Sequence, residues 1–331
     1  MQTMDEQPSI TIVMVQRERF SPSKRSLDSL LQTNSGGYPI IYVDNASPPV
    51  LRDYLCQQAN EHDIRLVRYE QYTSPLHARN AIVPLLETEY VVFVDNDVMF
   101  GAGWLEALFQ CASDHGADVV TPLIQQGELE ENVIHTAGGS VEIIEEGGKK
   151  VLNEVQRFLG KSIAEVSGEL IEEPTQMAEF HCILVRTDFL NRLGLFDENY
   201  LATSEHLDFA LEVQRANGAM WFTPGSRVTY LRPPPVSKED RLFFSLRWSN
   251  SWVGRSEDHL FKKWNIQPYD RVKKFSVKHR RKAYEAIHQR VSRFAGLRFA
   301  NLVVKFLDLK DTWLAQRRQS EQVTKLLSNT E

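Results

Sequence analysis

The stretch that decides the reading is YVVFVDNDVMF, Tyr90 to Phe100. It opens as an unbroken apolar run, which reads as a strand covered on both faces. It then sets Asp95 and Asp97 two residues apart, around Asn96. Charge brought to the end of a core strand is costly unless something compensates it. Two readings are open at this point. The acids solve a local backbone problem, as caps for a helix starting near Gly101 or as an Asx-turn. Alternatively they hold something positive. A D-x-D pair at the mouth of a sheet suits Mg2+ or Mn2+, hard cations that prefer carboxylate, water and phosphate oxygens.

Outward from this stretch, strands and helices alternate. ITIVMV, Ile10 to Val15, reads as a first strand, and SPSKRSLDSLLQT as a helix opened by Pro22. PIIYVDNAS is a second strand ending in Asp44, and IRLVRYE is a third. SPLHARNAIVPLLET looks helical despite Pro84, and GWLEALFQCASDHG is helical before the strand ADVVTP. Such alternation predicts an α/β fold with a mostly parallel, doubly wound sheet and helices on both faces. Ligands of these sheets bind beyond the carboxyl ends of the strands, where Asp44, Asp95 and Asp97 all fall.

The pattern changes after about Pro122. HTAGGSVEIIEEGGKKV predicts a hairpin turning at Gly147-Gly148, and GKSIAEVSGELIEEPTQ a polar excursion. The alternation resumes near Met177 and ends at the three prolines of RVTYLRPPPV. The expected division is a domain over 1–236, with halves of about 1–122 and 123–236, then a helical extension over 237–331. The chain has 331 residues, 42% hydrophobic and 25% charged, which is ordinary for a globular protein. No run approaches the roughly 18 apolar residues of a membrane-spanning helix, and MQTMDEQPSITIVMV does not read as a signal peptide. Three scattered cysteines, Cys56, Cys111 and Cys182, suggest a reducing, cytoplasmic compartment.

The motifs fall in an order that resembles the GT-A glycosyltransferases, family 2 type. They are VDNAS (Val43 to Ser47), ARNAI with Arg79 and Asn80, and VFVDND. The last is LVRTDFLNRLGLFDENYLATSEHLDFALEVQRANGAMWFTPGSRV, Leu184 to Val228. The resemblance spans roughly residues 9–232. It implies a GT-A fold and transfer of a sugar from a nucleotide-diphosphate donor to a hydroxyl acceptor, inverting and dependent on Mn2+ or Mg2+. By that resemblance Asp44, Asn45, Arg79, Asn80, Asp95 and Asn96 face the nucleotide sugar. Asp95 and Asp97 hold the metal.

The family's acceptor-side segment ends in Glu-Asp, whereas this chain reads SEHLDF, with Glu205 followed by His206. Either residue is a candidate base, an imidazole being suited to proton transfer at neutral pH. Asp208, three residues after Glu205, is a candidate to steer them or to cap the helix. Relatives carry a His after the PxxxV strand that completes the metal shell. Tyr230 stands there, which leaves the third ligand open, with Arg227 or Arg232 as candidate diphosphate partners. Gly138, Gly139, Glu179 and His181 are acceptor-side candidates. Trp248 and Trp252 are candidates for stacking or packing.

From Arg271 to Glu331 there are about fifteen Lys and Arg against about five Asp and Glu, in a chain of net charge −6. Interleaved with apolar residues, they suggest either peripheral contact with the inner face of a membrane or a helical appendage that packs or dimerises. The former suits a glycan or lipid-linked acceptor in glycan biosynthesis. No nucleic-acid motif is present. Two rivals to the transferase are an inactive nucleotide-sugar binder or scaffold and a sugar-nucleotide pyrophosphorylase. The second is disfavoured by the glycine-free QRERFSPSKRS after the first strand.

Overall fold

A computed structural model describes residues 9–232 and 236–328. The amino-terminal part runs β1 (Ile10–Val15), α1 (Ser23–Thr33), β2 (Ile40–Asn45), α2 (Pro49–His62), β3 (Arg65–Tyr69) and α3 (Pro75–Asn80). Next come β4 (Tyr90–Asp95), β5 (Val98–Phe100), α4 (Trp104–His115) and β6 (Val119–Gln126). The middle holds β7 (Val133–Thr136), β8 (Gly139–Glu146), β9 (Lys149–Gln156), β10 (Glu173–Pro174) and β11 (Cys182–Arg186). Then follow α5 (Thr187–Leu193), α6 (Glu205–Arg215) and β12 (Met220–Tyr230). Four helical segments close the chain: α7 (Arg241–Arg247), α8 (Asn250–Trp264), α9 (Arg271–Lys282) and α10 (Glu285–Ser328), the last broken at Gly296.

The main sheet has the order β10-β12-β6-β11-β4-β1-β2-β3. Strands β3, β2, β1 and β4 are parallel, β12 is parallel to β6, and β11 runs antiparallel between β4 and β6. Every residue of β1 and β4 is buried, and alternate side chains enter different cores. Ile10, Ile12, Met14, Tyr90, Val92 and Val94 join one cluster; Val13, Val15, Val91 and Phe93 join the other. A strand with a helical layer on each face has no polar side, which explains the unbroken apolar run.

The hairpin β8–β9 turns at Gly147 and Gly148, both at positive φ (58° and 75°), as a two-residue turn requires. Pro122 lies inside β6 and cannot donate to the ladder. Opposite it, β12 shifts register between Thr223 and Arg227, a bulge that absorbs the defect. The helix expected over SPLHARNAIVPLLET stops at Asn80, and only a short 3-10 turn follows, Val83–Leu85. Pro84 lacks the amide and disfavours helical backbone in the residue before it. Trp248 and Trp252 do not share one helix, since Ser249 caps α8 between them and accepts from the Trp252 amide at 3.2 Å.

Gly138 and Gly139 serve packing. A Cβ on Gly139 would meet the Val155 carbonyl oxygen at 1.9 Å, at φ 150°. One on Gly138 would meet Thr175 Oγ1 at 2.8 Å. Gly139→Ala is expected to destabilise the fold by about 2 kcal/mol or more, measured by denaturant unfolding. An unchanged midpoint would contradict this role.

Candidate active site

Strands β1 and β4 are paired with Val15 opposite Asp95, so both turn polar at the same edge of the sheet. Arg17 and Arg19 leave β1 there, and Asp95 and Asp97 leave β4. Arg17 donates to Asp95 Oδ2 at 2.7 Å, Arg79 to Asp95 Oδ1 at 2.8 Å, and Arg19 to Asp97 Oδ2 at 2.5 Å. Burial opposes charge on Asp95, but Arg17, His181 and Arg79 hold its carboxyl well below the usual range. Arg79 is fully buried, and desolvation lowers its pKa to about 10 despite Asp95. Its guanidinium also lies 4.3 Å from the Phe180 ring centroid. Neither aspartate caps a helix, because α4 begins at Trp104 with Gly103 at its N-cap.

His181 precedes β11 and brings Nδ1 to 2.9 Å from Asp95 Oδ2. Its ring stacks on Tyr230 at 4.4 Å between centroids. Tyr230 therefore backs the imidazole that approaches Asp95. Glu179 lies 3.0 Å from His135 Nε2 and 3.6 Å from His181 Nε2, and it accepts from Gln156. Ligand atoms of Asp95, Asp97 and His181 lie within 4.8 Å of one another, as do those of His135, Glu179 and His181. Asp97 Oδ1 is buried with no hydrogen-bond partner. An acceptor-only oxygen left over beside a second carboxylate and an imidazole fits a divalent cation.

On the facing wall, Ser204 sits at φ 68°, an uncommon conformation for a non-glycine residue, and α6 starts immediately after it. That turn aims Glu205 at the cavity, 3.5 Å from Arg17 and 3.8 Å from Arg247. His206 points to Glu154 of β9, 3.6 Å away. Burial works against its charge, but Glu154 and Glu179 outweigh burial and hold its pKa up at about 9. His206 is thus an imidazolium at neutral pH, with no lone pair to act as a base. The raised pKa means the pairing stabilises the fold fully below about 6.5. That contribution is lost as pH rises through about 9. NMR titration of His206 is expected to give a midpoint near 9, lowered in Glu154→Gln; an ordinary imidazole midpoint would contradict the pairing.

Asp208 turns away from the cavity. It accepts from Tyr200 at 2.9 Å and Trp264 at 2.8 Å and pairs with Lys263 at 2.8 Å, tying α6 to α8. The three candidate asparagines stitch loops. Asn45 bonds the backbone of Gln16 and Thr73. Asn80 bonds the backbone of Phe196, and Asn96 the backbone of Arg17 and Arg19. Asp44 accepts from the Ser47 amide at 3.0 Å and pairs with Arg68. Arg68 lines a separate, open cavity of about 970 Å3 beside β3, with Tyr69, His77 and Trp252.

Arg17, Asp97, Glu179, His181, Glu205 and His206 meet in one cavity of about 510 Å3, with Arg232 and Tyr230 also on its wall. Its far wall comes from the helical segments: Arg247, Trp248, Phe275, His279 and Lys282. Asp240, before α7, accepts from the amides of Phe20 and Ser21 and from the Ser21 hydroxyl, at 2.6, 3.2 and 2.7 Å. The α7 segment thereby clamps the loop that carries Arg17 and Arg19. Those two arginines, Arg247 and His135 are site residues that motif reading missed. For Arg17 and Arg19 a signal existed, since QRER follows a buried strand as directly as DND does.

The mostly parallel sheet, with paired aspartates beyond its central strand and a carboxylate facing them from a helix start, is a GT-A fold. Residues 10–172 match glycosyl transferase family 2. That match takes in just under half of the chain, from β1 to the segment before β10. Among solved structures, a crystal structure of GalNAc-T7 with UDP, GalNAc and Mn2+ superposes with a TM-score of 0.52 at 16% identity. That likeness covers 89% of this chain and 59% of that one. A crystal structure of S. aureus TarS gives 0.48 at 14% identity, over 86% of this chain and 44% of that one. The chain therefore spans less than two thirds of either protein. No curated protein matches it in sequence.

Proposed function

We propose that the protein moves a sugar from a nucleotide-diphosphate donor to a hydroxyl of a glycan or lipid-linked acceptor, inverting the anomeric carbon with a divalent cation bound. The observation that carries this reading is the placement of Glu205 on the same cavity as Asp97 and His181.

Asp95, Asp97 and His181 would hold Mn2+ or Mg2+, which neutralises charge on the departing diphosphate. Arg17 and Arg19 lie beside both carboxylates and suit phosphate oxygens through their planar, multi-donor guanidinium groups. Arg79 braces Asp95 from beneath, with its positive charge walled from water. Asp44 and the loops stitched by Asn45, Asn80 and Asn96 form the nucleotide side.

Glu205 takes the proton of the acceptor hydroxyl. The acceptor oxygen bonds to the anomeric carbon as the bond to diphosphate oxygen breaks on the opposite side, which inverts the centre. His206, already charged, orients the acceptor or the Glu179 carboxylate and accepts no proton. Trp248 offers an apolar wall for a sugar ring.

The test is release of nucleoside diphosphate from a panel of sugar nucleotides, with and without Mn2+. Metal-dependent turnover of one donor is expected. No turnover of any donor with any metal would overturn the proposal and leave a nucleotide-sugar binder.

A further inference from the structure

Segment α10 carries two apolar faces. Ala300, Val304 and Leu307 face the core, and on the same side the carboxylates are engaged. Asp311 accepts from the Tyr284 hydroxyl at 2.9 Å, and Asp308 pairs with Arg280 at 3.1 Å. The opposite face holds Phe299, Leu302, Phe306, Leu309 and Trp313, each between 52% and 67% exposed. Their spacing of three and four residues makes one continuous stripe. Arg298 and Lys305 flank it on one side, Lys310 and Arg317 on the other, all exposed. Between α9 and α10 lies a groove of about 1000 Å3, lined by Lys278, Lys282, Arg298 and Lys305 beside Leu302 and Leu309. Cations outnumber carboxylates along its wall.

We propose that α10 lays this stripe on a membrane surface bearing anionic lipids, with the basic groove receiving their headgroups. The proposal stands independently of the transferase reading. An apolar stripe edged by cations is the pattern of a helix lying in the bilayer interface, its lysines and arginines reaching up to the headgroups. A second copy of α10 fits the stripe less well. Its spacing is that of a heptad, but self-pairing in either direction sets cationic flanks such as Lys305 and Lys310 against one another. An anionic leaflet neutralises those same charges. Among the described residues no helix is long and apolar enough to cross a membrane, so contact of this kind is at the surface. Lys282 lines both the groove and the catalytic cavity, which therefore share a wall.

The test is flotation of the full chain with phosphatidylcholine vesicles, with and without about one third phosphatidylglycerol. Binding to the anionic vesicles is expected to be about tenfold tighter or more, and to weaken as salt is raised. The triple variant Leu302→Ser, Phe306→Ser, Trp313→Ser should lose it while keeping its circular dichroism. Lys305→Glu with Lys310→Glu should lose the preference for anionic lipid. Failure of the wild-type chain to float, or equal flotation of the triple variant, would overturn the proposal. So would self-association in sedimentation equilibrium that the triple variant abolishes without any vesicle binding in the wild type, since a second copy would then cover the stripe.

Discussion

Glu205→Gln is expected to lower kcat by about 100- to 10,000-fold, the usual contribution of a general base, with little change in donor affinity. Glutamine keeps the shape and both hydrogen-bonding positions but cannot take a proton. The carboxylate lies 3.5 Å from Arg17, so donor binding must be measured alongside turnover to separate base loss from a disturbed arginine. His206→Gln is expected to cost far less, because an imidazolium held by Glu154 has no free lone pair with which to accept a proton. Equal losses in the two variants would move the base to His206. A kcat for Glu205→Gln within a few-fold of wild type would remove Glu205 from the chemistry.

The second large effect is at Asp97, where stability and binding must be separated. Arg19 is buried, donates to Asp97 at 2.5 Å and to the Leu231 carbonyl at 3.0 Å, and has Nη1 without a partner. Asp97→Ala removes the carboxylate that Arg19 donates to, leaving Glu18 as a more distant counter-charge, and is expected to cost about 3–5 kcal/mol of stability. Asp97→Asn keeps an oxygen for Arg19 and is expected to fold, while losing the anionic oxygen that a hard cation needs. Mn2+ affinity should fall by about 100-fold or more in the asparagine variant. A folded Asp97→Asn that binds Mn2+ like the wild type would take Asp97 out of the metal site.

Much of the sheet was legible because its signals are local. Six buried residues in a row on β1 and on β4 show that both strand faces are covered, and Asp95 marks where the apolar run ends. The partners of Asp95 were not legible, because they arrive from elsewhere in the chain. Arg17 lies 78 residues before it and His181 86 residues after it. Only the register of β1 on β4 brings Arg17 there, and sequence spacing carries no trace of it.

Helical periodicity also placed Asp208 on the same side as Glu205. A helix face is wide, however, and three donors from α8 and Tyr200 draw Asp208 the other way. His206 was a credible base on its ordinary pKa. Its actual partner, Glu154, sits on a hairpin strand that no motif tied to the site. The charge and apolar pattern of the helical segments suggests an extension that packs on the domain, and Trp248, Trp252 and Phe243 do join the core cluster of β1 and β4. That Arg247 would close the cavity has no signal in the pattern.

The most direct measurement is calorimetry of the purified chain against a panel of nucleoside diphosphates, with and without Mn2+, repeated with Asp97→Asn. Binding of one nucleotide that requires Mn2+ and is lost in the variant is the expected result. Absence of binding for every nucleotide, with metal and without, would contradict a donor site at Asp95 and Asp97.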